Sequence, residues 1–212
     1  MTRLVRLDAG SCFFPPPGAV ESLRAGGVLI FPTDTLYGLG VDPASEEALA
    51  RLLAVKGREG GKPIPLLLDG PARASSLARR IPVEASRLME RFWPGALTIV
   101  LPASPSLSEA ITGGTGTVGL RVPGHPVPRA LAEAAGGAIT GTSANRAGSP
   151  GAWGTAEELV TEFTGEADWI LWDGPTPQSP GSTVVLVGEG EVSLLREGVI
   201  PFPSVTDFLG KG

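Results

Sequence analysis

Lys56, Arg58 and Lys62 put three cations inside seven residues of a 212-residue chain whose net charge is −5. They follow a polar, glycine-punctuated segment, Pro32-Thr33-Asp34-Thr35-Leu36-Tyr37-Gly38-Leu39-Gly40. Lysine as a point charge and arginine as a planar fork, set beside hydroxyls and turn-forming glycines, suit a multiply charged anion such as a nucleotide polyphosphate. Counted as charge alone, the same cluster is an ordinary solvated loop. Further hydroxyls, amides and cations stand elsewhere in the chain: Thr117, Arg121, Thr142, Ser143, Asn145, Ser182 and Arg196. This inventory handles anions and holds no obvious general base. It fits a reaction in which two bound substrates react with each other while the protein orients them and stabilises charge. Nucleotidyl transfer onto a carboxylate or carbamate is such a reaction, because the attacking oxygen is already ionised and the difficulty is bringing two anions together.

Other chemistries find less support. Gly114-Thr115-Gly116-Thr117-Val118-Gly119 has the spacing of a dinucleotide fingerprint, but the strand-like Leu120-Arg121-Val122-Pro123 follows it where a helix is required. Gly60-Gly61-Lys62-Pro63 is no P-loop, since proline replaces the Ser/Thr that would hold magnesium. There is no G-x-S-x-G elbow, and His125, next to Pro126 in a turn, reads as structural. One cysteine, Cys12, and one histidine give neither an internal disulfide nor a zinc site, so no bound metal is expected. A pI near 5.0 disfavours nucleic-acid binding by general electrostatics and leaves room only for a local basic patch. No run approaches the roughly 18 apolar residues of a membrane span, and the first residues lack a secretory layout, so a soluble cytoplasmic protein is expected.

These residues need elements to position them. Gly27-Val28-Leu29-Ile30-Phe31, stopped by Pro32, has the pattern of a strand buried on both faces, which puts the Thr/Asp segment at its carboxyl end. Ser45 reads as an N-cap, and Ala48, Leu49, Leu52 and Leu53 share one face of a helix ending near Lys56-Gly57. The pattern predicts strands over 63–68, 96–101, 117–122, 138–142, 169–172, 183–187 and 192–195, the last two an antiparallel pair. Helices are predicted over about 72–80, 83–91, 127–135 and 155–163. Together they describe an α/β fold with a twisted, mixed parallel/antiparallel sheet flanked by helices. A single domain over 1–212 is expected, with its core at about 20–200 and a short tail from about 201. In such sheets ligands favour crevices beyond strand ends.

The 32–40 segment, Lys56-Gly57-Arg58, Phe92-Trp93-Pro94-Gly95, Arg121-Val122-Pro123, Ser143-Ala144-Asn145, Ser182-Thr183-Val184-Val185 and Leu195-Arg196-Glu197-Gly198 occur in that order. In this combination the chain resembles the YrdC-type L-threonylcarbamoyladenylate synthases in their single-domain form. The resemblance implies conversion of L-threonine, bicarbonate and ATP, with magnesium arriving on the nucleotide, to threonylcarbamoyl-AMP and pyrophosphate. That product serves the threonylcarbamoyl modification of adenosine 37 in tRNA, with tRNA and tRNA-modification proteins as implied partners. The resemblance assigns Lys56, Arg58, Lys62, Thr117, Ser143, Asn145, Gly151 and Arg196 to ATP, with Lys56 and Arg58 as the catalytic pair. It assigns Thr35, Arg121, Gly141 and Ser182 to threonine, Arg121 being the natural partner of the carboxylate. Neither Lys56 nor Arg58 is expected to belong to the core, so removing either should leave the fold intact. Leu67 stands where many relatives carry histidine, and the tail is expected to close over the ligand. An RNA-binding module and a carbamoyl-transfer module like that of hydrogenase maturation factors are the competing readings.

Overall fold

The computed structural model describes residues 1–7, 15–57, 61–146, 153–176 and 179–210; Cys12, Arg58 and Gly151 lie outside the described residues. The chain runs through β1 (Arg3–Arg6), α1 (Pro17–Arg24), β2 (Leu29–Phe31) and β3 (Gly38–Gly40), the last two pairing antiparallel around the polar loop 32–37. Helix α2 (Glu46–Lys56) starts where predicted, the Ser45 hydroxyl accepting from Ala48 N at 3.2 Å, and stops at Gly57, whose φ of 59° is left-handed. Next come β4 (Leu66–Leu68), α3 (Ala74–Leu77), α4 (Val83–Phe92), β5 (Leu97–Pro102), α5 (Glu109–Thr112) and β6 (Thr117–Arg121). The remainder is α6 (Pro126–Ala134), β7 (Ala138–Thr140), β8 (Thr142–Ser143), α7 (Ala156–Phe163), β9 (Trp169–Trp172), β10 (Thr183–Val187), β11 (Val192–Arg196) and α8 (Phe202–Gly210).

The expected mixed pairing is present, and the strands divide between two sheets. One has the order β1-β9-β2-β3-β8, the other β11-β10-β5-β6-β4-β7. The fingerprint-like glycines run straight into β6, so no helix follows them. Strand β2 is buried on both faces, as its apolar run requires. Ile30 belongs to a large core shared with Leu39, Leu66, Leu97 and Leu120 and with helices α2, α4 and α7. Leu29 and Phe31 join a smaller core with Ala19 and Leu23 of α1 and Val127 and Leu131 of α6.

At one point the chain passes from one sheet to the other with a single residue intervening. Strand β7 pairs with β4 in the second sheet and β8 pairs with β3 in the first, so the chain changes sheets at Gly141. Thr140 N donates to Val41 O at 3.1 Å, Val41 N donates to the Thr140 hydroxyl at 2.8 Å, and Gly141 N donates to Pro65 O at 2.9 Å. This close approach explains why Gly38-Leu39-Gly40, poor in strand formers, is a strand: a Cβ on Gly38 would lie 2.5 Å from the Phe31 ring.

The C-terminal tail is a helix docked elsewhere than over the ligand loops. Phe208 of α8 meets Phe92 of α4 edge to face at 5.9 Å, and Arg87 donates to the Phe208 and Leu209 carbonyls, each at 3.3 Å. Pro201 and Pro203 look like helix breakers, but proline is compatible with the first turn of a helix, where the N–H it lacks has no intrahelical partner.

A methyl group on Gly40 would sit 2.2 Å from Thr140 O, backbone that cannot swing aside. Gly40→Ala should therefore cost at least about 1–3 kcal/mol in urea unfolding. Gly70→Ala, where nothing lies within 4 Å of the added carbon, should stay within about 0.5 kcal/mol of the parent.

Candidate active site

A cleft of about 810 Å³ lies on the exposed face of the second sheet, under the 33–38 loop and the 141–143 crossing. Its floor follows from strand alternation: Thr98 and Val100 of β5, and Thr117, Gly119 and Arg121 of β6, are every second residue and all line the cleft. Val184 is in register with Thr98, and Leu67 with Arg121. Because Ile99 pairs with Leu120 in the antiparallel β5–β6 ladder, Thr98 comes opposite Arg121. One row across the floor is thus Val184, Thr98, Arg121 and Leu67. Thr117 lies four residues along β6 from Arg121, about 13 Å at strand rise, with Lys62 beside it on the cleft wall.

Eight expected site residues line this one cleft: Thr35, Lys62, Thr117, Arg121, Gly141, Ser143, Ser182 and Arg196. Arg121 is the most constrained of them, its side chain only 6% exposed. Its Nε donates to Gly95 O at 2.8 Å, Nη1 to the Thr35 hydroxyl at 3.2 Å and Nη2 to Asp34 Oδ1 at 2.6 Å. Burial lowers its pKa from the ordinary arginine value, and the Asp34 charge opposes that shift. Three of the five guanidinium N–H groups are so occupied, leaving two for a ligand. Arg196 Nη2 is fixed on Ser182, 2.8 Å from the carbonyl and 3.2 Å from the hydroxyl. Its pKa is also lowered, first by burial and then by the charge of Arg121.

Lys56 and Asn145 stand behind the cleft wall. Lys56 is 3% exposed, and its Nζ donates to Ser143 O at 2.7 Å, Asn145 O at 2.5 Å and Asn145 Oδ1 at 3.0 Å. The Ser143 hydroxyl donates to the same Asn145 Oδ1 at 2.5 Å. This corrects the expectation that Lys56 is independent of the core. Its stem is packed, and its ammonium gathers three oxygens of the Ser-Ala-Asn turn.

The loop over the cleft is held by its own residues. Thr33 donates to Leu36 O at 2.5 Å and accepts from Thr35 N and Leu36 N, so it builds the turn as its type suggests. Asp34 does more than turn the chain, since it is the counterion of Arg121. The Tyr37 hydroxyl donates to Gly174 O at 2.8 Å and accepts from Asp173 N at 2.9 Å, and its ring stacks on Trp172 at 5.2 Å. His125 caps α6 through Nδ1, and its Nε2 lies 2.9 Å from Asp173 Oδ2, a structural role as expected. Gly95 O explains part of the Phe-Trp-Pro-Gly turn: Trp93 is buried, and the turn's last carbonyl holds Arg121. Thr98 and Gly119 were invisible as site residues in the sequence. The only signal for Thr98 is one hydroxyl in an apolar strand, on the same alternation as Val100.

The comparisons with known proteins fall on this region. The Sua5/YciO/YrdC family model, described as telomere recombination, matches residues 21–198, a span that contains every residue lining the cleft. The chain belongs to the Sua5/YciO/YrdC family. Threonylcarbamoyl-AMP synthase of Pyrococcus abyssi is 36% identical over 193 residues, covering 91% of this chain and 56% of that protein. The enzyme of the same name from Alkalilimnicola ehrlichii is 41% identical over 165 residues, covering 77% of this chain and 85% of that protein. The crystal structure of P. abyssi Sua5 complexed with L-threonine superposes with a TM-score of 0.87 at 33% identity, covering 99% of this chain and 61% of that one. The chain therefore spans little more than half the length of the P. abyssi relative. In this Sua5/YciO/YrdC member, Leu67 packs against the crossing, where a Cβ on Gly141 would lie 2.4 Å from Leu67 Cγ.

Replacing Lys56 by methionine keeps the stem and strands buried acceptor oxygens. Lys56→Met should lose about 3 kcal/mol of stability in denaturant unfolding, which a lysine standing free of the core would not. Tyr37 is the only tyrosine in the chain, and burial pushes its pKa up to about 12. Absorbance at 295 nm should show no phenolate at pH 10. Since the folded value lies above the unfolded value of 10.0, the stabilisation is complete below pH 10 and is lost as pH rises from 10 toward about 12.

Proposed function

We propose that this chain makes threonylcarbamoyl-AMP from L-threonine, bicarbonate and ATP, with magnesium carried in on the nucleotide. The observation that carries the reading is the two-ended cleft: Arg121 and Thr35 at one end of a continuous floor, Thr117 and Lys62 about 13 Å away at the other. An amino acid and a nucleotide laid along that floor meet in its middle, over Gly119. The names of the relatives support threonylcarbamoyl-AMP as the product, and the threonine complex of P. abyssi Sua5 supports L-threonine as a substrate.

The chemistry needs little from the protein beyond placement. The threonine ammonium loses two protons as its nitrogen bonds the bicarbonate carbon: one leaves with the bicarbonate hydroxyl as water, the other goes to solvent. The resulting carbamate oxygen attacks the α-phosphorus of ATP, the bond to the β-phosphate breaks, and pyrophosphate leaves with the electron pair. No carboxylate is among the described residues lining the cleft, which suits a step whose nucleophile is already an anion. Arg121 is the group for the amino acid carboxylate, and Lys62, Thr117 and Ser143 are groups for the nucleotide, with Lys56 acting on it through the Ser143 turn; Arg196, in register with Val184 in the Arg121 row, stands where the α-phosphate of the nucleotide would meet the carbamate. Arg58 and Gly151 complete the nucleotide side in this reading. Among the described residues no three His, Cys, Asp or Glu side chains form a metal-holding group, and Asp34 is committed to Arg121; the donor set does not fit a resident magnesium. No helix among the described residues is long and apolar enough to cross a membrane. The product would pass to tRNA modification in the cytoplasm, with partner proteins completing the transfer.

Purified protein should release pyrophosphate from ATP only when both threonine and bicarbonate are present. ATP turnover indifferent to either co-substrate would sink the reading. Arg121→Lys, which keeps the charge and loses the fork, should raise the threonine KM at least about tenfold, the scale of one charge-assisted hydrogen bond.

A further inference from the structure

Two hydroxyls on the cleft floor have one more proton than they have partners. Thr98 is 5% exposed and Ser182 7% exposed, and their hydroxyl oxygens lie 2.9 Å apart. Arg196 Nη2 donates to the Ser182 hydroxyl oxygen. Whichever hydroxyl donates to the other, the second keeps an O–H that no described protein atom accepts, and both residues line the cleft. This O–H on the cleft floor is left available to a ligand that supplies an acceptor.

The surroundings say what kind of acceptor fits. Thr98 stands opposite Arg121 in the β5–β6 ladder, about 4.8 Å away at interstrand spacing. Arg196 is held against Ser182, close enough to Arg121 that the charge of one lowers the pKa of the other. Beside Thr98 the floor is open: Gly119 carries no side chain, and a Cβ there would come within 3.3 Å of Thr98 Cγ2. A small oxyanion at this point receives an O–H bond from below and relieves the repulsion between two arginines. One strand away from the carboxylate grip is also where the amino group of a bound α-amino acid reaches.

Resting on the reading above, we propose that the Thr98–Ser182 hydroxyl pair, between Arg121 and Arg196, binds the one-carbon oxyanion, bicarbonate on entry and the carbamate oxygens after the nitrogen–carbon bond forms. Thr98 is then a binding residue for the co-substrate that the amino-acid and nucleotide groups do not account for. Val184 and Leu67, flanking Thr98 and Arg121 in the same row, offer no competing donor.

The test varies bicarbonate at saturating threonine and ATP. Thr98→Val, which keeps the β-branched shape and removes the hydroxyl, should raise the bicarbonate KM about tenfold, the scale of one hydrogen bond to an anion. Its KM values for threonine and ATP should stay within about twofold, the residual effect of losing one neighbouring hydroxyl. Thr98→Ser should restore the bicarbonate KM. An unchanged bicarbonate KM in Thr98→Val overturns the proposal. So does a rise confined to threonine, which would give the hydroxyl to the amino acid. Calorimetric threonine binding to Thr98→Val, with neither ATP nor bicarbonate present, should match the parent and show that the cleft is intact; lost affinity again assigns Thr98 to threonine. Broadening of the ¹³C-bicarbonate resonance by the parent, reduced in Thr98→Val, reads the same site without turnover. Broadening with no pyrophosphate release would keep the anion site and remove the synthase reading; release without any dependence of the broadening on Thr98 would do the reverse.

Discussion

The passage of one stretch of chain from sheet to sheet at Gly141 is the constraint on which the cleft depends. Strand β7 belongs to the sheet that forms the floor, and β8 belongs to the sheet whose loops form the roof. Fixing the crossing therefore fixes roof against floor. Thr140 and Val41 exchange backbone and side-chain hydrogen bonds there, and Gly40 lets the two backbones come closer than any side chain would permit. Lys56 continues the same clamp one turn further on, since it holds the carbonyls of Ser143 and Asn145 immediately after the crossing. A buried ammonium is costly unless its donors are met by oxygens, and the Ser-Ala-Asn turn meets them. Its conformation is thereby tied to the end of α2.

The second constraint is electrostatic. Arg121 is nearly fully buried, a position that disfavours charge, and is kept there by a carboxylate and a hydroxyl of the 32–37 loop and a carbonyl of the turn before β5. Asp34 neutralises it without saturating it. Arg196 faces the same space with no ion pair to a described carboxylate, its charge disfavoured first by burial and then by Arg121. An anion between the two guanidinium groups would offset their mutual repulsion. Val100, Val184 and Leu67 supply the apolar part of the cleft floor beside these charges.

Most of the fold was legible because apolar runs announce buried strands and cap residues announce helices. What stayed hidden has a physical reason in each case. Strand β3 is two glycines around a leucine, chosen for close approach and not for strand propensity. The division into two sheets cannot be seen from strand spans, since even β7 and β8, one residue apart, pair with different sheets. Helix α8 was masked by prolines that its first turn tolerates. At the cleft, charge and hydroxyl types pointed to residues that the fold brings together, but what each one touches depends on packing that spacing does not carry. Lys56 reads as a surface cation and is a buried clamp. Asp34 reads as a turn former and is the counterion of an arginine 87 positions away.

Thr98 shows the limit most clearly, and also how to go beyond it. In sequence it is one hydroxyl in Leu-Thr-Ile-Val-Leu, a composition any buried strand can have. Once β5 is known to pair with β6, alternation puts Thr98 on the same face as Arg121, and the parallel pairing with β10 puts Ser182 within reach. Its proposed role follows only from two strand registers and a proton count, neither of which any local pattern contains. A cleft with cations and hydroxyls but no carboxylate among its described lining residues is built from such placements. Each group is ordinary by type, and the chemistry lies in which anion it is left free to meet.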